Sequence, residues 1–370
     1  MEVSKRARSV DSSGIRRVFD LAAKLKDPIN LSIGQPDFDA SLPVKEAAKR
    51  AIDQGKSGYT VTQGIPELRA ALRQRYALSE NGAAEEPDVF VTAGVSGGLL
   101  LTYMVLLDAG DEIAIPDPFF CMYRDLAFMV NAVPLYYDTY PDFSLRAEQI
   151  ERVLTPKTKA ILVNSPGNPT GYTCSQEELD QVVELARRRG LYLIYDEIYS
   201  AFSYDRPHAQ CLGRYERIVL LNGFSKWAGV PGWRVGYVVA PREIMSHMLK
   251  LQQYTIVCAN SASQWALIEA VNSDFSSLLA EYRKKRDFIV EGLFGSYEFE
   301  TPGGAFYLFP KSPHGSGQSF VDTCIANGLL VVPGNVFSQK DTHFRISFSA
   351  PLRILERGVE VLRNLARAYE

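Results

Sequence analysis

At 370 residues the chain is long enough for two domains around sizeable cores, and its formal charge of −3 argues against broad electrostatic attraction to nucleic acid or an anionic membrane. Five cysteines (Cys121, Cys174, Cys211, Cys258, Cys324) lie scattered without a C-x-x-C pair, and His208, His247, His314 and His343 lack ligand spacing. Neither a zinc ribbon nor a protein-held metal is indicated, and packed, reduced thiols in a cytoplasmic protein are expected. The basic start (Lys5, Arg6, Arg8) is followed by Asp11, Ser12 and Ser13 rather than an apolar stretch, so no signal peptide is read. The longest apolar run, 99–107, is too short to span a bilayer.

In chain order, apolar spacing predicts an amphipathic helix over 15–25, then a Gly/Pro loop over 30–37. Helices follow over 43–53 and 66–76, each opened by a proline. From residue 89, short β-rich runs alternate with helices: strands are expected at 89–92, 112–115, 132–137, 160–164, 191–195 and 217–221, with a helix over 176–189. Runs such as AILV and LYLIY suit strands buried on both faces, hence a mostly parallel sheet between helical layers. Residues 233–239 read as an added strand of opposite direction. Beyond about 245 come helices over 244–253, 264–271 and 277–291. A smaller α+β tail has strands at 305–309, 329–332 and 344–348, and 314–318 (HGSGQ) reads as a flexible loop. The domains expected are a large α/β domain, 36–255, and a small α+β domain, 256–370, on which segment 1–35 packs.

Residues 222–236 (NGFSKWAGVPGWRVG) place Lys226 just after a buried strand among small residues, with Arg234 eight positions on. Desolvation there favours a neutral, nucleophilic amine suited to a Schiff base, although a lone lysine in a loop would ordinarily be a surface cation. The segment resembles the lysine motif S-K-x-x-G/A-x-P-G-W-R-x-G of class I/II aminotransferases, the fold type I enzymes that use pyridoxal 5′-phosphate (PLP). By that resemblance Lys226 carries PLP, and Arg234 and Ser225 bind its phosphate.

Other motifs follow in the family's order between about residues 15 and 350. NSPGNPTG (164–171) resembles the N-P-x-N-P-T-G turn, which makes Asn168 a donor to the ring 3-oxygen and a substrate contact. YDEIY (195–199) ends a buried strand; Asp196 becomes the partner of the ring nitrogen, Tyr199 a ligand of the 3-oxygen, and Glu197 is left a structural role. VTAGVSGGLL (91–100) is a strand, a tight turn and a helix start, where converging N–H groups attract a phosphate; Gly94, Val95 and Ser96 match that loop. In PDPFFCMY (116–123) Phe120, ahead of Phe119, is the expected ring-stacking aromatic.

YTVTQGIPELR (59–69) implies a homodimer with shared sites, in which Tyr59 reaches the neighbouring subunit's phosphate. In FRISF (344–348) Arg345 interrupts an apolar strand and matches the arginine that grips the substrate α-carboxylate, with the backbone of Gly34 approaching the same group. One departure stands out: many members have a serine three residues before the lysine, where this chain has Gly223.

The resemblance implies a ping-pong aminotransferase, passing an amino group from an L-amino acid to a 2-oxo acid such as 2-oxoglutarate. A PLP lyase or synthase on the same scaffold is the alternative. Some aspartate-using relatives carry a cation for the distal carboxylate on the helix after the phosphate loop. This chain has Tyr103 and Met104 there, which tilts the reading toward neutral or aromatic substrates unless a partner subunit, through Arg16 or Arg17, supplies the charge.

Overall fold

The computed structural model describes residues 3–10, 14, 15, 18 and 27–368. Most of the helix expected over 15–25, including Arg16 and Arg17, lies outside the described residues. A short strand, β1 (Ile29–Asn30), precedes the seven strands of the main sheet. These are β2 (Pro87–Thr92), β3 (Glu112–Asp117), β4 (Val133–Asp138), β5 (Thr158–Asn164), β6 (Tyr192–Asp196), β7 (Ile218–Gly223) and β8 (Gly236–Pro241). Their order is β2-β8-β7-β6-β5-β3-β4. β8 is antiparallel to both neighbours and the other pairs are parallel, so the strand expected to run against the rest does so. Six strands therefore end at one edge of the sheet, and β8 begins there. Open α/β sheets bind ligands along such an edge.

Period-two alternation divides the strands' side chains between two cores. Ile161, Val163, Leu193, Tyr195 and Leu220 belong to one, and Leu162, Ile194, Val219 and Leu221 to the other. Helices Gly94–Leu106, Cys121–Met129 and Arg242–Thr255 contribute to the second core, and helix Gln176–Arg189 to the first. The last of these is locally well specified. Ser175 and Glu178 form a reciprocal capping box, and Gly190 ends the helix in the left-handed conformation.

The chain's two ends meet. β1 pairs in parallel with β10 (Leu329–Leu330), and β9 (Tyr307–Leu308), β12 (Phe344–Ser347) and β11 (Val332–Pro333) form a small antiparallel sheet. Ser347 N donates to the Leu31 carbonyl at 2.7 Å, which stitches the N-terminal segment to this unit. Helix Ser261–Val271 lies beyond 255 in sequence yet packs on helices Leu42–Asp53 and Pro66–Arg75, against the main sheet's side. The loop expected at 314–318 holds through Ser316, but its last two residues begin a helix: Ser316 caps helix Gly317–Ala326, because its hydroxyl accepts from Ser319 N. The run expected as one strand over 329–332 splits into β10 and β11, and only Tyr307–Leu308 of 305–309 pairs as strand.

Close backbone approach fixes the functional edge. A Cβ on Gly236 would lie 2.5 Å from the Gly94 carbonyl carbon and 2.6 Å from Val95 N, and one on Gly223 would lie 2.9 Å from the Gly236 Cα. Glycine at 223 is thus matched to a tight β7–β8 contact. Gly236→Ala is expected to lose about 2–3 kcal/mol, since backbone atoms cannot swing aside. Gly232→Ala, with open space around it, is expected to change stability by less than about 0.5 kcal/mol. Urea unfolding midpoints of the two variants check this; equal midpoints would refute it.

Candidate active site

A cavity of about 610 Å³ opens at this edge. Gly34, Val95, Ser96, Phe120, Asn168, Asp196, Tyr199, Ser225, Lys226, Arg234 and Arg345 all line it. The topology explains the convergence. Asp196 ends β6, Asn168 lies in the turn after β5, Ser225 and Lys226 follow β7, and Val95 and Ser96 follow β2. Arg234 precedes the reversed strand β8 and so arrives at the same edge from the opposite direction. Gly94 belongs to this cluster as well: its φ is +72°, and a Cβ there would lie 2.5 Å from Arg234 Nη2. Phe120 faces the cavity, whereas Phe119 is buried against Tyr136. Tyr59 is not brought to this cavity within one chain and is 89% exposed.

The Lys226 amine donates to the Gly34 carbonyl at 2.7 Å. Burial, reinforced by repulsion from Arg345 and Arg234, pushes its pKa down to about 8. Gly34 therefore meets the lysine through its carbonyl, and a Cβ there would lie 2.7 Å from the Tyr307 hydroxyl oxygen. Asp196 is 3% exposed; its Oδ2 accepts from the Tyr123 hydroxyl (2.8 Å) and its Oδ1 from Ile198 N (3.1 Å). Burial lifts its carboxyl to about 6, against the opposing pull of those hydrogen bonds. A cation placed beside Asp196 would restore its charged form. Tyr199 pairs hydroxyl to hydroxyl with Tyr307 at 2.8 Å.

Arg345, 1% exposed, lies between the rings of Tyr307 and Phe337, with centroids 4.5 and 4.7 Å away. Its Nη1 donates to Asn168 Oδ1 (3.0 Å) and its Nη2 to the Ser32 carbonyl (2.8 Å), but Nε has no partner. No carboxylate among the described residues pairs with it. A buried guanidinium in that condition is a strong demand for an anion from the cavity. Because its oxygen is engaged by Arg345, Asn168 has its Nδ2 left to donate. On the other flank Arg234 donates to Ser96 Oγ at 3.1 Å and, like Arg345, has no carboxylate partner among the described residues. Two unpaired cations thus bracket one lysine.

Three contributors escaped sequence reasoning. Tyr123 lies within the quoted PDPFFCMY run, but nothing in that run signals its reach to Asp196. Asn164 joins two loops, donating to the Asp196 carbonyl (3.0 Å) and accepting from Asn168 N (2.9 Å). Tyr307 comes from the small sheet, and only folding brings it to Tyr199.

The model for "Aminotransferase class I and II" matches residues 26–362. The chain belongs to the class I and II aminotransferase family. It is 33% identical to a probable aspartate aminotransferase of Methanocaldococcus jannaschii, over 98% of this chain and 99% of that protein. It is 36% identical to a probable N-acetyl-LL-diaminopimelate aminotransferase of Bacillus subtilis, over 97% and 94% of the two chains. Among solved structures it superposes on the aspartate aminotransferase of Thermus thermophilus with maleate at a TM-score of 0.93 and 31% identity, covering 99% of this chain and 100% of that one. The architecture is that of the fold type I aminotransferases, and amino-group transfer is the activity of this enzyme.

The lowered lysine pKa makes a checkable statement about this aminotransferase. Free amine accumulates as pH rises through about 8 rather than through the ordinary lysine value of 10.5. The rate at which the cofactor-free enzyme forms a borohydride-trappable adduct with a simple aldehyde should climb between about pH 7 and 9 and then level. A rate that keeps climbing to above pH 10 would show an ordinary, solvated amine.

Proposed function

We propose that this aminotransferase works with pyridoxal 5′-phosphate on Lys226 and takes an amino acid whose side chain is neutral or aromatic. The single observation that carries the reading is the pair of unanswered cations, Arg234 and Arg345, on either side of a buried, readily neutralised lysine. A cofactor phosphate and a substrate carboxylate are the two anions such a site calls for. The donor set fits the cofactor: Asp196 for the ring nitrogen, Asn168 and Tyr199 for the ring oxygen, and Phe120 against the ring face. Gly94, Val95, Ser96, Ser225 and Arg234 would hold the phosphate.

When bound, PLP supplies an electron sink that makes the substrate Cα–H acidic and stores the amino group between the two half-reactions. The protein does the rest. Arg345 grips the α-carboxylate in a bidentate fork and so aims Cα at the cavity, with Asn168 steadying the guanidinium. Lys226, freed as a neutral amine, takes the proton from Cα. Asp196, kept dry by Tyr123 and the helix behind it, holds a proton on the ring nitrogen.

A shared active site is part of the proposal. Tyr59, Val61, Tyr254 and Ile256 are large apolar side chains left 89%, 53%, 91% and 40% exposed. Gln252, on helix Arg242–Thr255, joins that helix to the loop after Tyr59 by donating to the Thr62 carbonyl at 2.6 Å. A surface of that kind suits a second copy, whose Tyr59 would reach this copy's phosphate. As to substrate, no cation other than Lys226, Arg234 and Arg345 lines the cavity among the described residues, while Leu99, Met122, Leu126 and Met129 do. Tyr103 is buried and donates to the Tyr123 carbonyl, so it offers no charge to a distal carboxylate.

Lys226→Ala should abolish turnover and borohydride labelling of peptide 226; turnover at the parent rate would sink the proposal. Arg345→Gln should lower kcat/KM by about 10²–10³-fold, the worth of a lost buried charge pair. A half-reaction screen should show the cofactor absorbance discharged faster by aromatic and large neutral amino acids than by aspartate. The reverse order would overturn the substrate class alone.

A further inference from the structure

A second buried carboxylate stands directly behind the site without lining it. Glu197 is 2% exposed and follows Asp196 in sequence. Its Oε1 accepts from the Tyr76 hydroxyl at 2.7 Å and from Asn222 Nδ2 at 2.8 Å, and its Oε2 lies 2.8 Å from His208 Nε2. Three donors converging on one carboxyl fit its ionised, acceptor-only form. His208 Nδ1 is buried and has no partner. The His208 ring stacks on Tyr195 at 5.6 Å. Glu197 is then a buried carboxylate held by Tyr76, Asn222 and His208.

Those donors belong to different parts of the site's frame. Asn222 closes β7 just before the Lys226 turn; its Oδ1 accepts from Gly223 N at 2.7 Å, and its Nδ2 lies 3.2 Å from Ser200 Oγ. Glu197 N donates to the Leu221 carbonyl (3.0 Å), and Ser200 N to the Glu197 carbonyl (2.8 Å). Tyr76 also touches the Tyr237 hydroxyl on β8, at 3.1 Å. One carboxylate thus ties the turn bearing Asp196 and Tyr199 to the strand end bearing Lys226 and to β8, which begins beside Arg234.

We propose that Glu197 is a positioning residue for amino-group transfer, locking the Asp196–Tyr199 turn to the Lys226 strand end and setting a fixed negative charge behind Asp196. The proposal rests on the assignment of Lys226 and Asp196 given above. A fixed anion there favours the protonated forms of whatever Asp196 and Lys226 hold.

Glu197→Gln, nearly isosteric and uncharged, tests it. The enzyme is loaded with PLP, and four quantities are read: unfolding temperature, borohydride fixation at peptide 226, half-reaction kcat and KM, and the pH midpoint of the cofactor's visible absorption. The expected result is retained fixation, a kcat lower by about tenfold with KM within about threefold, and a midpoint lowered by about 0.5–1 pH unit because the anion is gone. Glu197→Asp, which keeps the charge, is expected to hold the parent midpoint. Parent-like kcat and midpoint in Glu197→Gln would overturn the proposal. So would a kcat loss that tracks a lower unfolding temperature with the midpoint unmoved, since that marks a purely structural residue. If Glu197→Gln does not fold, Tyr76→Phe removes one donor and keeps the ring; about threefold lower kcat at unchanged KM is expected, and parent kcat overturns. Absent labelling of peptide 226 in the parent itself would instead remove the assignment of Lys226, which separates the two failures.

Discussion

Desolvated charge is the constraint on which the rest of this structure depends. Arg345 sits between two aromatic rings with no carboxylate to answer it, Lys226 is an amine pushed toward neutrality, and Asp196 is a carboxyl lifted toward protonation. None of these would persist in a cavity filled by the protein's own side chains, because each destabilises the unliganded fold. They persist because the surrounding sheet and helices are strong enough to hold them open toward one space. The site is thus pre-organised for anions, and binding one would relieve what folding left unsatisfied.

The sheet makes this possible by direction as much as by burial. Six strand ends and one strand start meet at a single edge, so residues from six separated stretches reach one cavity without long connecting loops. The reversal of β8 matters most, since it carries Arg234 back to the turn after β2. Glycines 94, 223 and 236 then let three backbones close to contact distance, and the arginine takes the remaining space. Behind this layer, hydrogen bonds among loops do the aligning: Asn164 links the turns after β5 and β6, and Glu197 links those after β6 and β7.

The small C-terminal unit completes the site from outside the main sheet. Arg345 and Tyr307 both come from its three-stranded sheet, and β1 anchors the stretch that leads to Gly34. Because Arg345 Nη2 donates to the Ser32 carbonyl and Lys226 to the Gly34 carbonyl, these two cations are coupled through residues 32–34 of the N-terminal segment.

The alternation of buried β runs with helices and the motifs around Gly94, Asn168 and Lys226 are local patterns, and the chain alone determined them. Strand and helix periods depend on neighbours a few residues away, which is why they could be read in a line of letters. What tertiary structure decided were the contacts made at long range in sequence: Tyr123 on Asp196, Tyr307 on Tyr199, Arg345 on Asn168, Tyr76 and His208 on Glu197. The helix at Gly317–Ala326 was hidden because its cap sits in a Gly/Ser-rich stretch that reads equally well as loop. Helix Ser261–Val271 packs on helices Leu42–Asp53 and Pro66–Arg75, a choice that packing makes and that periodicity leaves open.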